Sequence, residues 1–198
     1  LDHSVTRLRA ELDIRRNGPA PAPLVLNGQG LTLIHIAIDD QPLAPGQYTL
    51  DDDTLTLDPE DDAFTLTICS ECHPVDNTAL MGLYTSGDSL FTQCEAEGFR
   101  RIVWFPDRPD VMAPYRVTLR ADKSRYPVLL SNGNLVSEQD LPDGQHEVVW
   151  DDPHPKPSYL FAVVAGDFAC REQRVQTRSG REVLLQVYSD HGTEGRTE

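Results

Sequence analysis

Tyr48-Thr49-Leu50-Asp51-Asp52-Asp53-Thr54-Leu55-Thr56-Leu57 alternates apolar and polar residues on both sides of three aspartates. In an extended chain, successive side chains point to opposite faces, so a period of two gives each strand one apolar face. Aspartates hydrogen-bond to their own backbone and favour turns. The stretch therefore predicts a β-hairpin. The same period continues downstream in Phe64, Leu66 and Ile68. Upstream it places Ile34, Ile36 and Ile38 on one face, with His35 and Ala37 on the other, and it runs more loosely through Val5, Leu8, Leu12 and Ile14.

The pattern recurs to the end of the chain. Residues 83–91 surround the turn signal Ser86-Gly87-Asp88. Residues 115–119 and 128–130 are short apolar strands, the second followed by Asn132-Gly133, a pair suited to a type I′ turn. Pro142-Asp143-Gly144 precedes Val148-Val149-Trp150, and Thr177-Arg178-Ser179-Gly180-Arg181 precedes Val183, Leu185 and Val187. Residues 159–165 are continuously apolar and read as a strand buried on both faces. Only residues 108–113 look briefly helical. Short strands at roughly ten-residue spacing predict an all-β fold, an antiparallel β-sandwich with little helix. Gly18-Pro19-Ala20-Pro21-Ala22-Pro23 reads as a loop within one unit. Residues 1–190 are expected to form one domain, and the polar stretch 191–198 the start of a linker.

The 198 residues hold 32 acids against 17 bases, a formal charge of −15. Phosphate would be repelled, which argues against nucleic acid or an anionic membrane as partner. No apolar run reaches the roughly 18 residues of a membrane span, and no secretory leader opens the chain. A cytoplasmic location with Cys69, Cys72, Cys94 and Cys170 reduced is the expectation. The chain opens on Leu1 rather than Met, which suggests a trimmed boundary.

Three motifs invite a chemical reading. His146-Glu147-Val148-Val149-Trp150 is one residue from the zinc-peptidase pattern H-E-x-x-H, but Trp150 cannot ligate a metal and Val-Val-Trp favours strand over the helix that pattern needs. Cys69-Ser70-Glu71-Cys72-His73 fits the haem attachment spacing C-x-x-C-H, yet it continues the strand pattern of residues 64–68 and is cut off by Pro74. A zinc knuckle would need a second ligand pair, and Cys94 and His154 stand alone. The acidic clusters at 51–53 and 58–62 lack the spacing and the internal glycine of a calcium loop, and read as solvated turns.

The informative segment runs from Leu80 to Asn134. Gly82-Leu83-Tyr84-Thr85-Ser86-Gly87-Asp88 leads to Thr92-Gln93-Cys94-Glu95, then Arg100-Arg101, Phe105-Pro106-Asp107-Arg108-Pro109-Asp110 and Tyr126-Pro127-Val128-Leu129-Leu130-Ser131-Asn132-Gly133-Asn134. In this order the motifs resemble the N-terminal β-domain of the bacterial aminopeptidase N family, gluzincin zinc aminopeptidases. Val163-Val164-Ala165-Gly166-Asp167-Phe168 and residues 177–183 extend the resemblance, and the first sixty or so residues are the least distinctive.

The resemblance implies that Glu95 binds the α-ammonium group of a peptide substrate and that Gln93 approaches its first residue. It implies no catalytic residue and no metal ligand in this chain. The family's H-E-x-x-H and G-A-M-E-N motifs are absent here and belong to a following catalytic domain. Zinc would therefore be a cofactor of the full-length enzyme, with ligands outside this chain, and the chain alone is expected to be inactive. Its implied partners are peptide substrates and the catalytic domain of the same polypeptide. Cys94, between Gln93 and Glu95, should point into the core. Arg100, Arg101, Asp107 and Asp110 should form ion pairs that hold the loop and the domain junction. The other reading is a stand-alone β-sandwich module that binds protein or carbohydrate. Exposed aromatic platforms would favour it, whereas Trp104 and Trp150 both sit in apolar, strand-like segments.

Overall fold

The computed structural model describes residues 1–18, 21–193 and 195. Part of the predicted loop (Pro19, Ala20) and part of the predicted linker (residues 194 and 196–198) lie outside the described residues. The strands are β1 (Thr6–Arg15), β2 (Leu24–Asn27), β3 (Thr32–Ile38), β4 (Gln41–Pro42), β5 (Tyr48–Leu50), β6 (Thr54–Leu57), β7 (Ala63–Cys72), β8 (Gly82–Ser86), β9 (Ser89–Gln93), β10 (Met112–Asp122), β11 (Val128–Ser131), β12 (Asn134–Asp140), β13 (Gln145–Pro157), β14 (Val163–Gly166), β15 (Ala169–Gln176) and β16 (Glu182–Ser189). The helical content described is single 3-10 turns at Pro74–Asp76, Phe99–Arg101, Pro142–Gly144 and Ser158–Leu160. The fold is all-β, with antiparallel pairing in each ladder.

Two cores follow from how the sheets are shared out. The sheet β1-β7-β3-β4 and the sheet β2-β6-β5 enclose Leu26, Ile36, Leu55, Leu57, Phe64, Leu66, Ile68 and Trp104. The sheet β10-β13-β12 and the sheet β11-β14-β9-β8 enclose a second cluster that includes Leu90, Cys94, Phe99, Leu119, Tyr126, Leu129, Val148 and Ala165. The opening hairpin is present as β5 and β6, with Leu55 and Leu57 buried and the aspartates in the turn. Fully burying a Leu or Ile contributes about 1.5–3 kcal/mol by transfer from water, so these alternating faces supply most of the drive to stack the sheets.

Four local expectations are corrected. Ile34 is 58% exposed while Ile36 is buried, because β3 carries an irregularity in its pairing with β7 between Leu33 and His35. The extra residue of a bulge turns the side chains before it to the other face. Residues 108–113 are not helical: β10 begins at Met112, and the helical turn lies earlier, at Phe99–Arg101. Asn132-Gly133 does not close a hairpin, since β11 pairs with β14 while β12 pairs with β13. Gly133 instead has φ of +90°, and a Cβ there would lie 2.2 Å from the Asp151 carbonyl oxygen. The glycine lets the chain pass from one sheet to the other against β13. The apolar run 159–165 is a 3-10 turn at Ser158–Leu160, with Leu160 exposed, followed by the short strand β14.

The two motifs set aside as metal or haem signatures lie in plain strands, and the acidic clusters lie between strands. His146 to Trp150 lies in the first half of β13. Cys69 and Cys72 are three residues apart in β7, so they point to opposite faces of the sheet and cannot grip one ligand.

Candidate functional site

Gln93 ends β9, and the chain then leaves the sheet in a tight loop. Cys94, just beyond the strand, is 3% exposed, while Gln93 and the turn residues Glu95, Ala96 and Glu97 are exposed. Cys94 is buried as expected, between two exposed residues. Gln93 donates from its amide nitrogen to the Glu95 carbonyl oxygen at 3.1 Å. The Gly98 N–H donates to the Cys94 carbonyl at 2.8 Å, and the Arg101 N–H to the Gly98 carbonyl at 3.0 Å. The Phe99–Arg101 turn follows directly.

Glycines make this fold-back sterically possible. A Cβ on Gly98 would lie 2.1 Å from the Gln93 carbonyl oxygen and 2.9 Å from the Cys94 Cα. Gly82, the cross-strand partner of Gln93, has φ of +76°, and a Cβ there would lie 2.5 Å from the Arg101 Cβ. Strand ends and loop thus touch backbone to backbone, which only glycine permits.

Beneath the loop, Phe99 sits in an aromatic cluster. Its ring meets Phe105, Tyr115 and Phe161 edge-on, at centroid distances of 5.2, 5.9 and 5.0 Å. Such edge-to-face pairs contribute about 0.5–1.5 kcal/mol each beyond the area they bury. Burial pushes the Cys94 thiol up to about 12, with the Asp107 charge adding to the effect. Burial, followed by the charge of Asp107, also raises the Tyr115 hydroxyl. Cys94 is therefore a neutral core group with no claim to reactivity.

Asp107 is the polar centre of this region, its side chain only 2% exposed. Oδ2 accepts from the Arg100 N–H at 3.2 Å and from Arg100 Nε at 3.0 Å. Oδ1 accepts from the Ser158 hydroxyl. The Asp107 carbonyl accepts from Arg100 Nη2 at 3.1 Å, and the Asp107 N–H donates to Asn27 Oδ1 at 3.2 Å. Arg100 also lies 3.2 Å from Glu97. Of the four residues expected to form ion pairs, Arg100 and Asp107 pair with each other, and Asp110 pairs in the open with Arg108, which was not among them. Sequence reasoning missed Asn27 and Ser158 as partners. They lie 80 and 51 positions from Asp107, and no local pattern signals such a contact.

The sequence motif around Asn132 has a structural explanation. Its side chain donates to the Leu160 carbonyl at 3.0 Å and accepts from the Ala162 N–H at 2.7 Å, bracing the entry to β14. Trp104 is buried at 2% against Gly28, where a Cβ would lie 2.2 Å from its ring. Trp150 is half-buried and donates to the Leu129 carbonyl at 3.1 Å. Neither tryptophan offers an open platform for a sugar. Among the described residues, no group of three or more His, Cys, Asp or Glu side chains could hold a metal ion. No described helix is long and apolar enough to cross a membrane.

The all-β domain described above is of the type that stands at the N-terminus of M1 peptidases. The chain belongs to the peptidase M1 N-terminal domain family, whose profile matches residues 20–160. It is 53% identical to aminopeptidase N of Caulobacter vibrioides over 191 residues, which is 96% of this chain and 22% of that protein. Among solved structures it resembles the Legionella pneumophila aminopeptidase A crystallised in complex with aspartic acid. That match has a TM-score of 0.90 and 38% identity, and covers 96% of this chain and 23% of the other. The fold also matches an M1 zinc metallopeptidase of Deinococcus radiodurans bound to a Tyr-Ser-Ala substrate, with a TM-score of 0.78 at 14% identity, over 96% of this chain and 44% of that one. The chain thus spans about a fifth of the length of its aminopeptidase relatives.

Proposed function

We propose that this chain is the substrate-anchoring β-domain of a cytoplasmic zinc aminopeptidase that removes N-terminal residues from peptides. Residues 1–190 form the domain, and residues 191–198 begin the link to a catalytic domain. The observation that carries the reading is the exposed pair Gln93 and Glu95 around buried Cys94. Glu95 accepts from the substrate's α-ammonium group. A carboxylate about 4 Å from that cation gains roughly 4 kcal/mol of gross Coulomb energy at an effective dielectric of 20. A blocked N-terminus forfeits this gain and leaves the carboxylate desolvated without a partner. Anchoring the amine sets its distance from the scissile bond, which makes the enzyme an exopeptidase. Gln93 both donates and accepts, and so can meet the backbone of the first substrate residue.

Zinc belongs to the full-length enzyme. Among the described residues no group of His, Cys, Asp and Glu side chains fits a zinc site, and the role proposed for this chain is to bind and orient the substrate amine. The catalytic domain covers the Gln93–Glu95 rim and the exposed apolar residues Leu184, Leu185 and Val187 of the β15–β16 hairpin. The test is Glu95→Ala in the full-length enzyme. The expected result is a higher KM for free-amine substrates, a lower kcat, and weaker discrimination against N-acetylated peptides. Unchanged discrimination overturns the reading.

A further inference from the structure

We propose that Asp107, through Arg100 and Ser158, is a positioning residue that fixes the carboxylate of Glu95 for amine recognition; this rests on the substrate-anchoring reading above. Asp107 does not lie on the exposed rim; its side chain is 2% exposed and that of Arg100 16%. Its carboxylate is nevertheless tied to the turn that ends the Glu95 loop and to Ser158. The Arg100 N–H, at the 3-10 turn that immediately follows the Glu95 loop, donates to Oδ2. Such a turn leaves its first N–H groups without partners inside the turn, and a carboxylate satisfies one of them. The Arg100 guanidinium then spans the site, with Nε on the Asp107 carboxylate and Nη2 on both the Asp107 carbonyl and Glu97. Glu97 is two residues from Glu95, so one guanidinium joins the Glu95 loop to the buried anchor.

The anchor is itself held from two further directions. The Ser158 hydroxyl donates to Oδ1 from the turn between β13 and β14. Asn27 Oδ1 receives the Asp107 N–H from the end of β2, where Asn27 and Phe105 exchange backbone hydrogen bonds at 2.8 and 3.1 Å. The loop that carries Glu95 is thus registered against elements of both cores. Exposed loops between strands open readily unless their backbone is tied down. Here the tie is a buried, hydrogen-bonded ion pair, where partial loss leaves an unpaired charge. A carboxylate that must meet a compact cation within hydrogen-bond distance depends on that tie, because displacement by about 1 Å is enough to lose on the order of a hundredfold in rate.

The experiment uses the full-length enzyme with Asp107→Asn, Ser158→Ala and Glu95→Gln, and the double variant Asp107→Asn with Glu95→Gln. Hydrogen exchange is followed by mass spectrometry over residues 93–101, with residues 63–72 as the internal reference. Asp107→Asn is expected to speed exchange over 93–101 by about tenfold or more and to leave 63–72 unchanged. It is expected to raise KM for an aminoacyl p-nitroanilide more than it lowers kcat. The resulting loss of kcat/KM, about tenfold, is expected to shrink below about twofold in the Glu95→Gln background, because the two act on one interaction. Ser158→Ala retains the ion pair and is expected to move the same quantities in the same direction by a smaller factor, which decides the matter if Asp107→Asn does not fold. An equal loss in both backgrounds, or exchange over 93–101 that does not change, overturns the proposal. If Glu95→Gln alone leaves discrimination against N-acetylated substrate intact, the anchoring reading fails instead, and the exchange data still judge the clamp.

Discussion

Gly98 lies directly against the carbonyl of Gln93, so close that a methyl group on its Cα would sit 2.1 Å from that oxygen. The contact sets how sharply the chain turns after β9, and hence where Glu95 emerges. Gly98→Ala cannot be relieved by rotating a side chain, since the obstacle is backbone. Overpacking of this kind costs about 1–3 kcal/mol. The expected outcome in urea titration is a loss of at least that size, with Gly18→Ala, where nothing lies within 4 Å, staying within about 0.5 kcal/mol of the parent.

The thiols should divide by burial. Cys170 is exposed, Cys69 intermediate, and Cys72 and Cys94 buried. Burial raises Cys72 to about 11 and Cys94 to about 12, from an ordinary 9.0. Reaction with a disulfide reagent at pH 8 is expected to be fast at Cys170 and to reach Cys72 and Cys94 only after denaturation. The pH dependence follows in sign. These thiols hold their protons more tightly when folded, so their contribution to stability is complete below about pH 9. It falls as the pH rises above 9, and is gone once the pH has passed the folded values. Alkaline titration of the unfolding midpoint should show that decline, and Cys94→Ser should alter its slope between pH 9 and 12.

Among the described residues the β15–β16 hairpin pairs with no other strand, and Leu184, Leu185 and Val187 are more than 40% exposed. A lone two-stranded hairpin is marginal in water. In the isolated chain its amides are expected to exchange at least about a hundredfold faster than those of β7, which lies between β1 and β3. In the full-length enzyme the same amides are expected to be protected. Equal exchange rates in the two contexts would remove the hairpin from the domain interface.

Metal analysis separates the domain from its enzyme. The purified chain is expected to carry well below one equivalent of zinc after dialysis, whereas the full-length enzyme carries it stoichiometrically. Tightly held zinc in the isolated chain would contradict the placing of all its ligands elsewhere.

Much of the fold was legible because period-two patterning depends only on neighbours in sequence. The β5–β6 hairpin, the β8–β9 hairpin around Gly87 and the β15–β16 hairpin around Gly180 stand where alternation and turn residues put them. The misreadings share a cause. Ile34 faces solvent because of a bulge that depends on how β3 meets β7. Asn132-Gly133 looked like a hairpin turn but crosses between sheets, because the partners of β11 and β12 were chosen by distant strands. Residues 159–165 are apolar enough for a strand, yet Tyr159 and Leu160 belong to a turn that begins at Ser158, whose hydroxyl meets Asp107.

For the candidate site, the order Thr92-Gln93-Cys94-Glu95 put Cys94 inside and Gln93 and Glu95 outside, and the burial of the three agrees although β9 ends at Gln93. The amino-acid order also determined the all-β class, since the apolar residues recur at that repeat. What three dimensions alone settled is the hydrogen-bond network around Asp107. Asp107 gathers Asn27, Arg100 and Ser158 from separate parts of the chain. Hydrogen bonds between residues so far apart leave no periodic trace in sequence, because they form only once the sheets have closed and excluded the water that would otherwise satisfy each group.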